Sequence, residues 1–190
     1  MIRPFKIKYE GAVSTLLQSA KMMFTSDGAF RTETNWNTLD QNATTNTSLV
    51  NFIGVTTNWL VSISGPDWDI GDIQPTAPAF GDFSAVSLQQ LVYTYQSGNV
   101  KTIAFTGLDS TKRYKLRFAA MDAYDDPAGD TTAVITVAGA TKKLMIPIAF
   151  QTQEIYFDIT GSTTATATIT HDTGKQYAGL CAAILEEYSS

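Results

Sequence analysis

Two short segments concentrate the side chains best suited to binding chemistry: Asp67-Trp68-Asp69-Ile70-Gly71-Asp72 and Asp122-Ala123-Tyr124-Asp125-Asp126-Pro127-Ala128-Gly129-Asp130. Each sets an aromatic ring among carboxylates. An exposed ring offers a large apolar face at low entropic cost, so it can stack on a sugar while neighbouring carboxylates accept hydrogen bonds from the hydroxyls. Trp68, Asp67, Asp69, Tyr124, Asp125 and Asp126 are therefore the candidate glycan-binding residues. A second reading of Trp68 stands beside this one, in which its ring closes one end of the core. The same segments hold the closely spaced oxygens and the turn-forming glycine that calcium uses. Neither follows EF-hand spacing, and Asp and Gly are also ordinary turn formers. Calcium at Asp122–Asp130 is thus the one metal reading left open, and no other cofactor is expected.

The sequence points away from catalysis. Its single histidine, His171, falls in Thr170-His171-Asp172-Thr173-Gly174. A Ser-His-Asp system needs an acid that orients the base toward a nucleophile. Adjacent residues at a strand end point apart, so Asp172 is a poor orienter and His171 reads as an exposed turn residue. Gly81-Asp82-Phe83-Ser84 faintly resembles the nucleophile block of SGNH hydrolases, but no Asp-x-x-His follows near the C-terminus. No G-x-S-x-G elbow, P-loop or dinucleotide fingerprint is present.

The composition fits that picture. The chain has 190 residues, enough for one domain with a core of its own. Charged residues make up 16%, well below the roughly 25% of an ordinary soluble domain. Thr is abundant, notably from Thr163 to Thr170, and branched and aromatic side chains favour a pleated, half-buried surface. A net charge of -5 argues against a nucleic-acid partner, since phosphate binding is driven by Lys and Arg. The lone Cys181 excludes an internal disulfide and any multi-cysteine zinc site. Residues 1–24 are broken by Arg3, Lys6, Lys8, Glu10 and Lys21, so they do not read as a signal peptide. No apolar stretch is long enough for a membrane span.

The elements that must hold these loops are strands. Pro4–Tyr9 alternates and predicts a short strand. Val13, Leu16, Leu17 and Ala20 fit one helical face, while Ala20–Phe24 fits a first core strand; a strand, a short helix or turn, and a strand are expected there. Beyond Asn35 the signal is all β. Trp59, Val61 and Ile63 share one face, as do Tyr114, Leu116, Phe118 and Ala120. Ser64–Gly81 reads as a long loop. Leu91–Tyr95 and Val100–Phe105 flank Gln96-Ser97-Gly98-Asn99 like a hairpin. Further strands are expected near Thr132–Val137, Lys143–Ile148, Ile155–Ile159, Thr164–Thr170 and Ala178–Glu186. About nine short strands at regular spacing predict an all-β fold, an antiparallel sandwich of two packed sheets. Trp36 and Trp59 are assigned to the core or its edge, and Tyr93 and Tyr95 to packing on one strand face.

The order of certain runs carries a resemblance. It begins with Asn35-Trp36-Asn37, continues through Tyr93-Thr94-Tyr95, Thr102–Asp109, Arg113–Ala120 and Thr132–Gly139, and closes with Tyr177–Glu186. Over about residues 35–188 it resembles the galactose-binding-like and malectin-like jelly-roll modules. Such modules occur beside glycan-active enzymes and in phage structural proteins. The resemblance implies a jelly-roll-like sandwich at 31–190, preceded by a short N-terminal extension at 1–30. It also implies a binding or assembly role. The first expectation is a non-enzymatic phage virion protein: a tail, fibre or capsid-decorating component made in the host cytoplasm. Residues 1–30 would dock it, as an oligomer, onto other virion proteins. The alternative is a carbohydrate-binding module recognising glycans, such as those of cell surfaces, through the two acidic loops.

Overall fold

The computed structural model describes residues 14–25, 33–40, 44–73, 77–94, 98–122, 131–146 and 148–189. Fourteen strands and one short helix are found among them. A five-stranded sheet has the order β11 (Gln153–Thr160), β8 (Arg113–Ala120), β14 (Ala182–Tyr188), β1 (Leu16–Thr25), β2 (Trp36–Asp40). A six-stranded sheet runs β10 (Ala140–Met145), β9 (Thr132–Val137), β12 (Thr164–His171), β7 (Lys101–Thr106), β4 (Thr56–Ser64), β3 (Thr44–Val50). A small third sheet joins β13 (Ala178–Leu180), β6 (Gln90–Thr94) and β5 (Asp69–Ile73). All pairings are antiparallel except β1 with β2. This is the expected β-sandwich. None of its helices is long and apolar enough to cross a membrane among the described residues.

Period-two alternation explains the two main layers. β4 buries Trp59, Val61 and Ile63, and β7 buries Ile103 and Phe105. From the other sheet come Tyr114, Leu116 and Phe118 of β8, with Phe157 and Ile159 of β11. The layers interdigitate: the Trp59 and Tyr114 rings meet edge to face at 5.9 Å. Tyr114 also accepts a hydrogen bond from the Asp109 amide at 2.8 Å and donates one to Glu187 Oε2 at 3.0 Å. A buried ring thereby keeps its polar atom satisfied.

Several expectations are corrected. Within the segment expected as an N-terminal extension, Leu16–Thr25 forms β1 inside the five-stranded sheet, paired with β14 on one side and β2 on the other. The helical spacing at Leu16, Leu17 and Ala20 is coincidental. Ala20, Met22 and Phe24 enter the core, while alternation turns Met23 to the opposite face, where helix α1 (Ala85–Leu88) packs on β1. A strand covered on both faces loses the alternation that identifies it. Ser64–Gly81 is not all loop, since β5 lies within it. Strands β6 and β7 do not form a hairpin; β6 pairs with β13 and β5, and β7 with β4 and β12. The strand expected at Pro4–Tyr9 falls outside the described residues.

The segment around α1 is fastened by one guanidinium. Arg117 on β8 makes a bidentate pair with Glu154 (2.6 and 3.1 Å), and Nη1 donates to Glu186 at 2.8 Å and Asp82 at 2.6 Å. The Phe83 ring lies 5.3 Å away. Ser84 caps α1 by accepting the Ser87 amide and donates to Glu33. The Gly81-Asp82-Phe83-Ser84 run therefore has a structural role.

Candidate functional site

Strand registers gather the candidate loops at one end of the sandwich. β4 ends at Ser64, which pairs with Thr102 near the start of β7. β12 ends at His171 opposite Ala133, near the start of β9. β8 ends at Ala120 opposite Gln153, where β11 begins. The segments after Ser64 and Ala120, and those before Thr132 and Gln153, thus share that end.

Gly65 makes the exit from β4 possible. Its φ is +112°, and a Cβ there would lie 2.3 Å from the Val100 carbonyl oxygen. Beyond it, Asp67 and Asp69 are exposed while Trp68 between them is only 4% exposed. The stacking role expected of Trp68 is corrected: its ring faces the core beside Phe24, Ile63, Val92 and Leu180. This is the end-closing reading. Lys101, itself 2% exposed, donates to the Pro66 carbonyl at 2.6 Å and holds its ammonium 5.6 Å from the Trp68 ring centre. Burial pulls the Lys101 pKa down, against the opposing fields of Asp67 and Asp40.

The acidic strand leads to an aromatic pair. Asp69 is the register partner of Tyr93, and Tyr93 meets Tyr177 edge to face at 5.4 Å. Tyr177 bridges to Thr131 and accepts the Thr132 amide at 3.0 Å. Thr131 is the first described residue after the second acidic segment. A continuous path therefore runs from Asp69 through two half-buried tyrosines to that segment. Tyr124, Asp125 and Asp126 lie outside the described residues, as do Tyr95 and Ala123–Asp130, so the calcium reading at Asp122–Asp130 falls mainly there. Among the described residues, no three of His, Cys, Asp and Glu are grouped to hold a metal. Sequence reasoning assigned Tyr93 to packing and did not single out Tyr177 as a site residue. An aromatic just before a strand that returns to the same end was the available signal.

His171 is half-buried at the end of β12, not in an exposed turn. Its Nδ1 lies 3.4 Å from the Lys175 carbonyl oxygen. Asp172 pairs with Lys143 at 2.7 Å, which together with the Thr173 amide keeps the Asp172 carboxyl below its usual pKa. Trp36 packs against the core margin under Lys21, whose ammonium is 5.7 Å from the ring centre.

No family model matches the chain, and no curated protein sequence matches it. Solved structures do. The extracellular domain of ANXUR1 from Arabidopsis thaliana aligns with a TM-score of 0.62 at 10% identity, over 93% of this chain and 50% of that one. The ANX1 ectodomain from Arabidopsis thaliana gives 0.53 at 10%, over 90% and 41%. A complex of the plant peptide RALF23 with FER and LLG2 gives 0.51 at 13%, over 93% and 40%. The chain spans half or less of the length of these structures. At such identities the shared property is the fold, the β-sandwich described above.

Proposed function

We propose that the chain is a non-catalytic recognition module that binds a carbohydrate at the end of the sandwich bearing Asp67, Asp69, Tyr93 and Tyr177. The observation that carries this reading is the continuity from Asp69 through the Tyr93–Tyr177 pair to Thr131. It joins the two segments in which the sequence mixes aromatic rings with carboxylates. Tyr124, Asp125 and Asp126 belong to the same proposed surface. Rings supply the apolar contact and carboxylates the hydroxyl acceptors, which is the pairing a sugar requires. The virion reading drew on composition, on the absence of a signal peptide and on residues 1–30 as a docking arm. Leu16–Thr25 of that arm is a strand paired on both sides within a sheet, and the carbohydrate reading is carried forward.

Calorimetric titration of the full chain with a panel of neutral and acidic oligosaccharides tests it. Binding by at least one member is expected. Tyr177→Ala should weaken that binding about tenfold, the scale of one lost aromatic contact, and Asp69→Asn should weaken it as well. Both variants should keep the parent melting curve. A panel on which no member binds overturns the reading.

A further inference from the structure

The outer face of the five-stranded sheet is only partly covered. Phe83 packs on Arg117 and α1 packs on β1. The part running from Tyr156 of β11 to the start of β8 is open to solvent. There Arg113, Asp158 and Thr160 are exposed, and the Tyr156 ring is 47% exposed. Arg113 begins β8, so this surface extends to the end of the sandwich opposite Asp69 and Tyr177.

Its charges are held in place by rings. Lys115 of β8 stands between two tyrosines, its ammonium 5.0 Å from the Tyr156 ring centre on β11 and 5.7 Å from that of Tyr188 on β14. A second ammonium, Lys142 of β10, lies 4.2 Å from the Tyr156 ring centre and donates to the Tyr156 carbonyl. Attraction to the ring quadrupole fixes such cations in position. Arg113 shares the outer face of β8 with Lys115, two residues before it. Among the described residues the ion pairs belong to Arg117 and Lys143, and none involves Arg113, Lys115 or Lys142. The carboxylates beside Lys115 do not neutralise it. Glu186, its register partner on β14, accepts from Arg117 and from the Tyr188 hydroxyl. Asp158, its partner on β11, is exposed and makes no ion pair with it. On a chain of net charge -5, three cations without ion pairs around an exposed ring reverse the sign locally.

We propose that this face docks an extended acidic segment of a partner protein. Charge complementarity sets the sign of the partner, and the strand sets its shape. Arg113 and Lys115 stand about 7 Å apart along one strand face, twice the rise per residue. Alternate side chains of an extended peptide repeat at the same distance, so acidic residues at every second position meet both cations. Tyr and Arg are the residue types that anchor protein–protein contacts, and Tyr156 gives such a segment an apolar contact beside its carboxylates. The proposal does not rest on the carbohydrate reading, and it names a surface separate from Tyr93 and Tyr177.

The test is fluorescence anisotropy of the full chain with a labelled octapeptide of Glu-Thr repeats. Saturable binding at low salt is expected, weakening several-fold at physiological salt. The Gln-Thr counterpart should not bind, and an isomer with its Glu residues contiguous should bind less well. Arg113→Gln, at an exposed position that leaves the fold alone, should weaken binding about threefold. Combined with Lys115→Gln it should weaken binding at least tenfold, and Tyr156→Ala about tenfold. Lys175→Gln, which removes the same charge at the other end of the sandwich, should leave binding unchanged, as should Tyr177→Ala. Melting curves matching the parent separate lost binding from lost folding. No binding by the Glu-Thr peptide overturns the proposal, as does binding that the double variant leaves intact. Equal binding of the contiguous isomer also overturns it, by reducing the interaction to net charge. A heparin oligosaccharide or a phosphatidylserine vesicle that binds through these residues, where the peptide does not, assigns the face to a sulfated sugar or a membrane instead.

Discussion

Arg117 shows how one side chain can fasten segments far apart in sequence. Its guanidinium gathers Glu154 of β11, Glu186 of β14 and Asp82 of the segment leading to α1. Burial alone would disfavour the charge, yet the hydrogen bonds it donates to Glu154, Asp82 and Glu186 outweigh it and hold the Arg117 pKa above its ordinary value. The same contact from Arg117 keeps the Asp82 carboxyl below its usual range. Removing the cation would leave Glu154 and Glu186 facing each other with little water. Losing one partner of a buried pair costs about 3–5 kcal/mol; Asp82 is 59% exposed, so about 2–4 kcal/mol is expected for Arg117→Ala. Asp82→Asn should cost under about 1 kcal/mol, as exposed ion pairs do. Urea unfolding measures both, and equal losses for the two variants would sink the idea of Arg117 as the hub.

Among the elements, β1 has the largest consequence. It lies inside the five-stranded sheet, between β14 and the edge strand β2, with register contacts from Lys21 to Trp36 on one side and to Ile184 on the other. A chain lacking residues 1–30 should therefore fail to fold, whereas one beginning at Ser14 keeps every strand pairing described. Circular dichroism melting of the two truncations checks this, and a cooperative transition in the shorter chain would overturn the assignment of β1. The difficulty with β1 shows where sequence patterns stop being informative. Strands with one wet face, such as β8 with its Tyr114, Leu116 and Phe118 against Lys115 and Arg117, announced themselves by alternation. β1 did so only over Ala20–Phe24, because α1 covers the other face, where Met23 is buried. β5 was hidden for a different reason: Asp69, Gly71 and Asp72 are turn-forming types, and the strand is held by the pairing of Asp69, Ile70 and Ile73 with β6 across an irregularity at 71–72. The acidic segments were visible from composition. The choice between the two readings of Trp68 and the Tyr93–Tyr177 contact were not, since each depends on how segments far apart in sequence meet at one end.

Across the whole molecule, two buried titratable groups and a half-buried one predict how stability should vary in alkali. Lys101 anchors the acidic end through Pro66 and Trp68, and burial lowers its pKa below the ordinary 10.5. The unfolded chain then holds the Lys101 proton more tightly than the folded one. Between the lowered value and 10.5 the unfolded state binds more protons, so stability rises with pH across that window. Tyr114 and Tyr188 act in the opposite direction. Burial, with Glu187 beside one phenol and Glu186 beside the other, pushes both up to about 12 from an ordinary 10.0. Above pH 10.0 the unfolded chain loses these protons first, and stability falls as pH climbs through about 12. The sum is a stability maximum in moderate alkali, where the lysine contribution is nearly complete and the tyrosine loss has barely begun. Urea midpoints taken at closely spaced pH values from neutrality upward should trace it. Lys101→Met should flatten the rising limb and leave the falling one, because its tyrosines are untouched. Tyr114→Phe should make the fall shallower, with Tyr188 accounting for what remains. A rising limb that survives in Lys101→Met would show that the ammonium is not buried in the folded chain, and the anchoring of the acidic end would then need another source.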